Sequence, residues 1–236
     1  MTPRLFAVGV GPGDPDLITR KAERVLRSVD VICAPTGSVD AASYALAIVE
    51  PFVDRSRQKI LTRVFPMRRD RRELEPYWEE VAAEMAAQVR SGRDVAFITI
   101  GDPFLYSTFL YLYGIFLEKF PDIPVEIVPG ISSVSAAAAA AGVPLGISAD
   151  RIAILPAVYE EEKLRRTLDE FDTVVLMKVH RVFDRIYELL RDLKLEKKAV
   201  YIRRVGSKDQ EIITDLASLC GKKLDYLSML LIRKSS

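Results

Sequence analysis

Three glycine-bearing stretches concentrate the chemistry available to this sequence. The first, "FAVGVGPGDPDLITRKA" (6–22), alternates Gly9, Gly11 and Gly13, then passes through Asp14 and Pro15 into helical spacing. A strand, a glycine turn and a helix can cradle a pyrophosphate, but that chemistry needs G-x-G-x-x-G and an acid about 20 residues later. Here the order is G-x-G-P-G-D, one residue short between the second and third glycines. Pro12 removes an N–H from the loop, and Asp14 at its tip repels phosphate. Asp30 falls near the ribose position but precedes its strand instead of ending it. No G-K-[ST] follows, which excludes a Walker A loop. A loop with a carboxylate and no phosphate cradle suits a neutral or cationic ligand. The plain alternative is a turn that lets the backbone double back.

Two further stretches continue the theme: "TIGDPFLYSTFLYL" (99–112) and "VPGISSVSAAAAAAGVPL" (128–145). Glycine turns at strand ends let main-chain groups approach a ligand closely. Ser132 and Ser133 either cap the alanine-rich helix behind them or bond a ligand. Asp102 either bonds a ligand or holds its own turn. The aromatic run Phe104, Tyr106, Phe109, Tyr111, Tyr113 and Phe116 covers most of a helix, so core packing is expected for most of its members. His180 is the sole histidine. With two distant cysteines it makes no metal site, and it reads as a helix-start residue. Cys33 and Cys220 lack C-x-x-C pairing and are expected as small core residues.

The elements that must position these residues alternate. Apolar, β-branched runs at 5–10, 30–35, 59–65 and 94–100 read as strands buried on both faces. Ile18, Ala22, Val25, Leu26 and Val29 form one helix face behind Asp14 as N-cap and Pro15 as first residue. Val81, Met85 and Val89 make a second stripe. "FPDIPVE" (120–126) has two prolines and no helical period and reads as the joint between halves. Strands resume at 125–129, 151–156, 173–178, 199–204 and 227–233, with helices near 160–171 and 181–193. "KDQEIIT" (208–214) reads as a short hairpin strand. The expected fold is two α/β lobes with mostly parallel sheets, 1–119 and 125–236.

Bulk properties narrow the partners. The 236 residues suffice for a sizeable core, and 49% hydrophobic with 28% charged residues is ordinary for a globular chain. A formal net charge of +1 gives no field that attracts nucleic acid or an acidic membrane. No secretory signal pattern and no unbroken run long enough to span a bilayer are seen, so a cytoplasmic protein is the expectation.

Taken together, "VGVGPGDPDLITRKA", "TIGDPFLYSTFLYL" and "VPGISSVSAAAAAAGVPL", followed by "DRIAILPA" (150–157), "VLMK" (175–178) and "VGSKDQEIIT" (205–214), resemble the tetrapyrrole methylase family. The resemblance covers nearly the whole chain. With "LYSTFLYL" after GDPF, it is similar to the branch that methylates C-20 of precorrin-2 or its cobalt-containing counterpart, cobalt-factor II. The resemblance implies a class III S-adenosylmethionine (SAM) methyltransferase fold, with SAM held between the lobes, a tetrapyrrole acceptor, a homodimer and S-adenosylhomocysteine as product. It implies cofactor contacts from Pro12, Ile100, Gly101, Asp102, Leu105, Ser132, Ser133, Met177 and Val205. It makes the first loop, with Gly11, Gly13 and Asp14, a wall of the substrate trough.

Such an acceptor has an electron-rich meso carbon, so the enzyme's task is to align carbon, methyl and sulfur and to exclude water. A base must finally take a proton; Asp102 and Tyr106 are the candidates. The substrate's carboxylates call for arginine forks, with "MRRDRRE" (67–73) and "YIRRVGSK" (201–208) as candidates against solvated faces. Alternatives are methylation at another ring carbon, a non-catalytic SAM-binding module, or an oxidoreductase.

Overall fold

The computed structural model describes residues 2–37, 42–65, 71–156 and 160–234, with only the backbone of 71–73. The chain divides into two units, Met1–Ser132 and Ser133–Ser236. Among the described residues no helix is long and apolar enough to cross a membrane.

In the first unit the strands are β1 (Leu5–Gly9), β2 (Val31–Thr36), β3 (Lys59–Val64), β4 (Val95–Thr99) and β5 (Val125–Val128). They form one sheet in the order β3-β2-β4-β1-β5, with every pairing parallel. Helices α1 (Arg20–Ser28), α2 (Tyr44–Val49), α3 (Arg71–Arg90) and α4 (Phe109–Lys119) cover it. The inner strands β2, β4 and β1 are almost wholly apolar because both faces are buried, whereas the edge strands β3 and β5 carry Lys59, Arg63 and Glu126. Leu5, Ala7, Cys33 and Phe97 point to α3 and α4, where Trp78, Met85, Phe109 and Phe116 complete the core. Val8, Val10, Ile32 and Ile98 point the other way, to Ala22, Leu26 and Ile48 of α1 and α2. The period-two split of each strand thus feeds two separate apolar layers.

Three expectations need correction here. The boundary does not fall near residue 120. β5 pairs with β1 from Leu5↔Val125 to Val8↔Val128, so "FPDIPVE" connects α4 to the fifth strand of the same sheet. Asp14 does not cap α1. It caps a short 3-10 turn, Pro15–Leu17, by accepting from Asp16 N, and Thr19 caps α1 by accepting from Ala22 N. Two capping residues precede one apolar stripe, and the stripe alone does not choose between them. Of the aromatic run, Phe109 and Phe116 are core, whereas Phe104, Tyr106 and Tyr111 are exposed. Tyr111 lies stacked on Trp78, with ring centroids 4.2 Å apart.

The second unit holds α5 (Ser133–Ala141), β6 (Ile152–Pro156), α6 (Glu161–Glu170), β7 (Thr173–Met177), α7 (Phe183–Asp192), β8 (Ala199–Arg203), β9 (Glu211–Ile213) and β10 (Ser228–Arg233). Its sheet order is β6-β7-β10-β8-β9. Only β6 and β7 are parallel; β10 runs antiparallel to both β7 and β8, and β9 forms the expected hairpin with β8. The expectation of a mostly parallel sheet therefore holds for the first unit and fails for this one. The β8–β9 hairpin reverses the chain, and β10 keeps the heading of β9 on the other side of β8, reached through a connection that contains the 3-10 turn Leu216–Leu219. Leu164, Leu168, Phe183, Ile186 and Leu190 of α6 and α7 bury one face against Val174, Leu176, Tyr201 and Leu230. Cys33 is buried in β2 as expected, and burial pushes its thiol up to about 12. Cys220 is exposed, which corrects its reading as a core residue.

Candidate functional site

Strands β4, β1 and β5 are adjacent and parallel, so their C-terminal ends leave the sheet at one edge. In an open α/β sheet that edge is where ligands bind. Each of the three strands ends in one of the glycine turns. Val10 N donates to Thr99 O at 2.9 Å, and Gly101 N donates to Gly11 O at 2.7 Å. Gly11 N returns a longer bond to Gly101 O at 3.3 Å. Gly11 and Gly101 have φ of 76° and 71°, the left-handed region where a side chain is costly. Two strands that ran parallel thereby close into a small antiparallel bridge just beyond the sheet.

The third turn packs into the same spot. A Cβ on Gly9 would lie 2.6 Å from both Gly101 O and Gly130 N. One on Gly130 would collide with Gly101 O and lie 2.7 Å from the Gly9 carbonyl carbon. The glycines are needed because main chain meets main chain. The opening motif is thus one strand of a three-part backbone knot, which fits the doubling-back reading better than a phosphate grip.

Asp102 sits at the centre of this knot, half-buried. Its Oδ1 accepts Phe104 N at 2.8 Å, and its Oδ2 accepts Gly130 N at 3.0 Å. It holds its own turn, as one sequence reading expected, and also reaches the third. Four residues on, Tyr106 has φ 52° and is 40% exposed. For a bulky L-residue that geometry costs about 1–2 kcal/mol and persists only where its surroundings impose it. The far anchor is Ser107. Its buried hydroxyl lies 2.9 Å from the Thr99 hydroxyl and accepts Phe109 N at 3.1 Å. Leu105, half-buried, is held between these two anchors. On the other side, the Thr19 hydroxyl reaches Pro129 O at 3.5 Å, joining the start of α1 to the third turn.

The structure therefore brings Gly11, Gly101 and Asp102 together, with Pro12 buried beside Gly11 and Ile100 half-buried beside Gly101. Gly13 and Asp14 are half-buried on the same loop, and Asp14 spends Oδ1 on Asp16 N. Ser132 precedes α5, and Ser133 is the first residue of that helix.

In the second unit, Met177 ends β7 in register with Met229 and Pro156. Lys178 follows with φ 61°, and its N donates to Ser228 O at 2.8 Å. Val205 is buried after Arg204, whose N donates to Leu227 O at 2.8 Å. The basic pair of "YIRRVGSK" is already matched by acids: Arg203 with Glu211 at 2.6 Å, and Arg204 with Asp225 at 2.6 Å. Those forks are structural first. The run at 67–73 lies outside the described side chains. His180 sits in a 3-10 turn, with Nδ1 3.2 Å from Lys178 O and its ring edge-on to Tyr226.

Sequence reasoning missed Gly9 and Gly130 as site residues, along with Thr19 and the Thr99–Ser107 hydroxyl pair. "VGVG" and "VPG" did place a glycine at the end of an apolar strand, which is the readable signal for close backbone approach.

Comparison with known proteins adds four observations. A family model described as Tetrapyrrole (Corrin/Porphyrin) Methylases matches residues 4–220. The chain is 36% identical over 237 residues to the cobalt-precorrin-2 C(20)-methyltransferase of Salmonella typhimurium, covering 99% of this chain and 98% of that protein. Among solved structures, the cobalamin biosynthetic enzyme cobalt precorrin-4 methyltransferase superposes with a TM-score of 0.75 at 24% identity, covering 98% of this chain and 94% of that one. The uroporphyrin-III C-methyl transferase of Thermus thermophilus, solved in complex with S-adenyl homocysteine, gives 0.67 at 19% identity, with 98% and 97% covered.

Proposed function

Because the chain belongs to the tetrapyrrole (corrin/porphyrin) methylase family, we propose that it transfers the methyl group of SAM to C-20 of a precorrin-2-type ring, metal-free or cobalt-loaded. The observation that carries this reading is the three-turn knot at the exits of β4, β1 and β5, on a chain similar from end to end to a C-20 enzyme. Another acceptor carbon is the runner-up. Against it stands the shorter likeness to a cobalt-precorrin-4 C(11)-methyltransferase, 33% identical over 61% of this chain, against 36% over 99% for the C(20) enzyme.

In this reading SAM supplies the electrophilic methyl, and the acceptor carbon displaces S-adenosylhomocysteine in line. The chain's residues bind and align. Gly101 and its neighbours Ile100 and Leu105 present main chain and apolar surface without long polar side chains. Ser132, Ser133, Met177 and Val205 are the further cofactor positions. Gly11, Gly13 and Asp14 face the ring. Tyr106, exposed and conformationally strained, is the retained candidate for the final proton. The same reading makes the working form a cytoplasmic homodimer, which light scattering on purified protein checks for mass.

The test is incubation with SAM carrying a labelled methyl and with precorrin-2 or its cobalt complex, followed by mass spectrometry and NMR of the product. The expected outcome is one added methyl at C-20 and stoichiometric S-adenosylhomocysteine. A methyl at another carbon favours the runner-up. SAM binding with neither ring ever methylated means a non-catalytic module.

A further inference from the structure

The Gly101–Asp102 pair joins all three turns, but by different means. Gly101 bonds the first turn through its main chain, at N and at O. Between residues 100–105 and 129–130, no main-chain hydrogen bond is seen among the described residues. That tie is made by a side chain: Asp102 Oδ2 accepts Gly130 N at 3.0 Å, while Oδ1 accepts Phe104 N at 2.8 Å. A carboxylate suits this place because it only accepts, on two oxygens, and charge-assisted bonds to N–H are the stronger kind. Main chain packs tightly here, since a Cβ on Gly130 would strike Gly101 O. The carboxylate thus fixes the spacing of two turns that have no slack.

We propose that Asp102 is a positioning residue and not the proton acceptor. By splitting its oxygens between Phe104 and Gly130, it holds the second and third turns in the register that presents their main chain to the methyl donor. This rests on the SAM reading above for its consequence, though not for the tie itself.

Asp102→Asn is the informative variant, because it keeps the shape but turns one acceptor into a donor. Whichever way the amide flips, it faces one of the two N–H groups with an N–H of its own. Three readouts separate the roles: amide exchange of Gly130 and Phe104 in ligand-free protein, SAM affinity by calorimetry, and the pH profile of kcat. The expected result is exchange at Gly130 or Phe104 faster by about tenfold or more, SAM affinity weaker by a similar factor, and a pH profile of unchanged shape. Asp102→Glu keeps the charge but moves the oxygens out by a methylene. Positioning predicts that it also loses SAM affinity, whereas a general base would keep it.

Ser107→Ala loosens the same loop at its far end and is expected to leave Gly130 exchange at the wild-type rate. The proposal is overturned if both amides exchange normally in Asp102→Asn. It is equally overturned if SAM affinity holds while kcat drops more than about a hundredfold with loss of a pH limb. Ser107→Ala accelerating Gly130 as much as Asp102→Asn does would also sink it. Should the wild-type chain bind no SAM at all, the functional reading fails, and the exchange arm still decides whether the tie exists.

Discussion

In the first lobe the turns after β1, β4 and β5 meet as main chain on main chain; in the second, β10 runs against β7 and β8, and the residues leading into it bond those that leave both neighbours. Parallel strands send all their exits to one edge, so three exits crowd into the space of one, and only glycine fits. An antiparallel strand brings an entrance between two exits. Lys178 N bonds Ser228 O and Arg204 N bonds Leu227 O, leaving room for the long side chains of Lys178, Arg204 and Tyr226. One aspartate organises each edge. Asp102 splits its oxygens between two main-chain amides, and Asp225 splits its own between Leu227 N and the Arg204 guanidinium. Strand direction thus decides whether an edge is held by backbone and glycine or by charged side chains.

The largest effect should come from breaking the knot. In Gly130→Ala the new Cβ meets two segments of main chain that cannot step aside. The expected loss is about 3 kcal/mol, the upper part of the usual overpacking range. Gly221→Ala in the second lobe is the matching control: φ is 69°, but nothing lies within 4 Å of its Cβ. It should cost only the left-handed strain, about 1 kcal/mol. Urea titration of both variants measures the difference. Gly130 itself has no positive φ, so a loss no larger than that of Gly221→Ala would mean that the main chain around it gives way and the close-approach argument fails.

Asp225→Asn should act less strongly and with a pH signature. Burial raises the Asp225 carboxyl, but hydrogen bonds from Arg204 and Leu227 N and the charge of Arg204 more than reverse this, leaving it below its ordinary 3.8. A carboxyl with a depressed native value stabilises the fold fully above its unfolded value, and that gain fades as pH falls through the lower native one. The variant should therefore lose about 1–2 kcal/mol at pH 7. The gap to wild type should narrow steadily below about pH 4. A gap that stays constant into acid would remove the ion pair as its cause.

The two lobes were unequally legible for the same reason. Strands buried on both faces stood out, and β4, read at 94–100, is found at Val95–Thr99. Strand direction was not in the pattern. "LSMLLIR" is equally apolar whichever way it runs; its direction follows from the β8–β9 hairpin, after which β10 keeps the heading of β9 on the far side of β8. β5 was given to the wrong lobe because Pro121 and Pro124 before it look like a linker, while its partner β1 lies about 120 residues away in sequence, from Leu5↔Val125. At the site, the D-P-F turn announced that Asp102 would bond its own loop. Its reach to Gly130, 28 positions later, could not be read locally. The convergence of the turns came from resemblance to a family; spacing alone does not contain it.

The smallest expected effect tests whether every glycine near this edge shares that burden. Gly114 lies within α4, exposed, with nothing within 4 Å of its Cβ and no positive φ. Unlike Gly9, Gly101 and Gly130, it makes no close approach, and in a helix interior it costs stability through the freedom it loses on folding. Gly114→Ala should therefore raise stability by about 0.5–1 kcal/mol. Thermal unfolding would read this as a rise of a few degrees in Tm. A fall instead would mean that this face of α4 is covered in solution, and the contrast between knot glycines and free ones would then need redrawing.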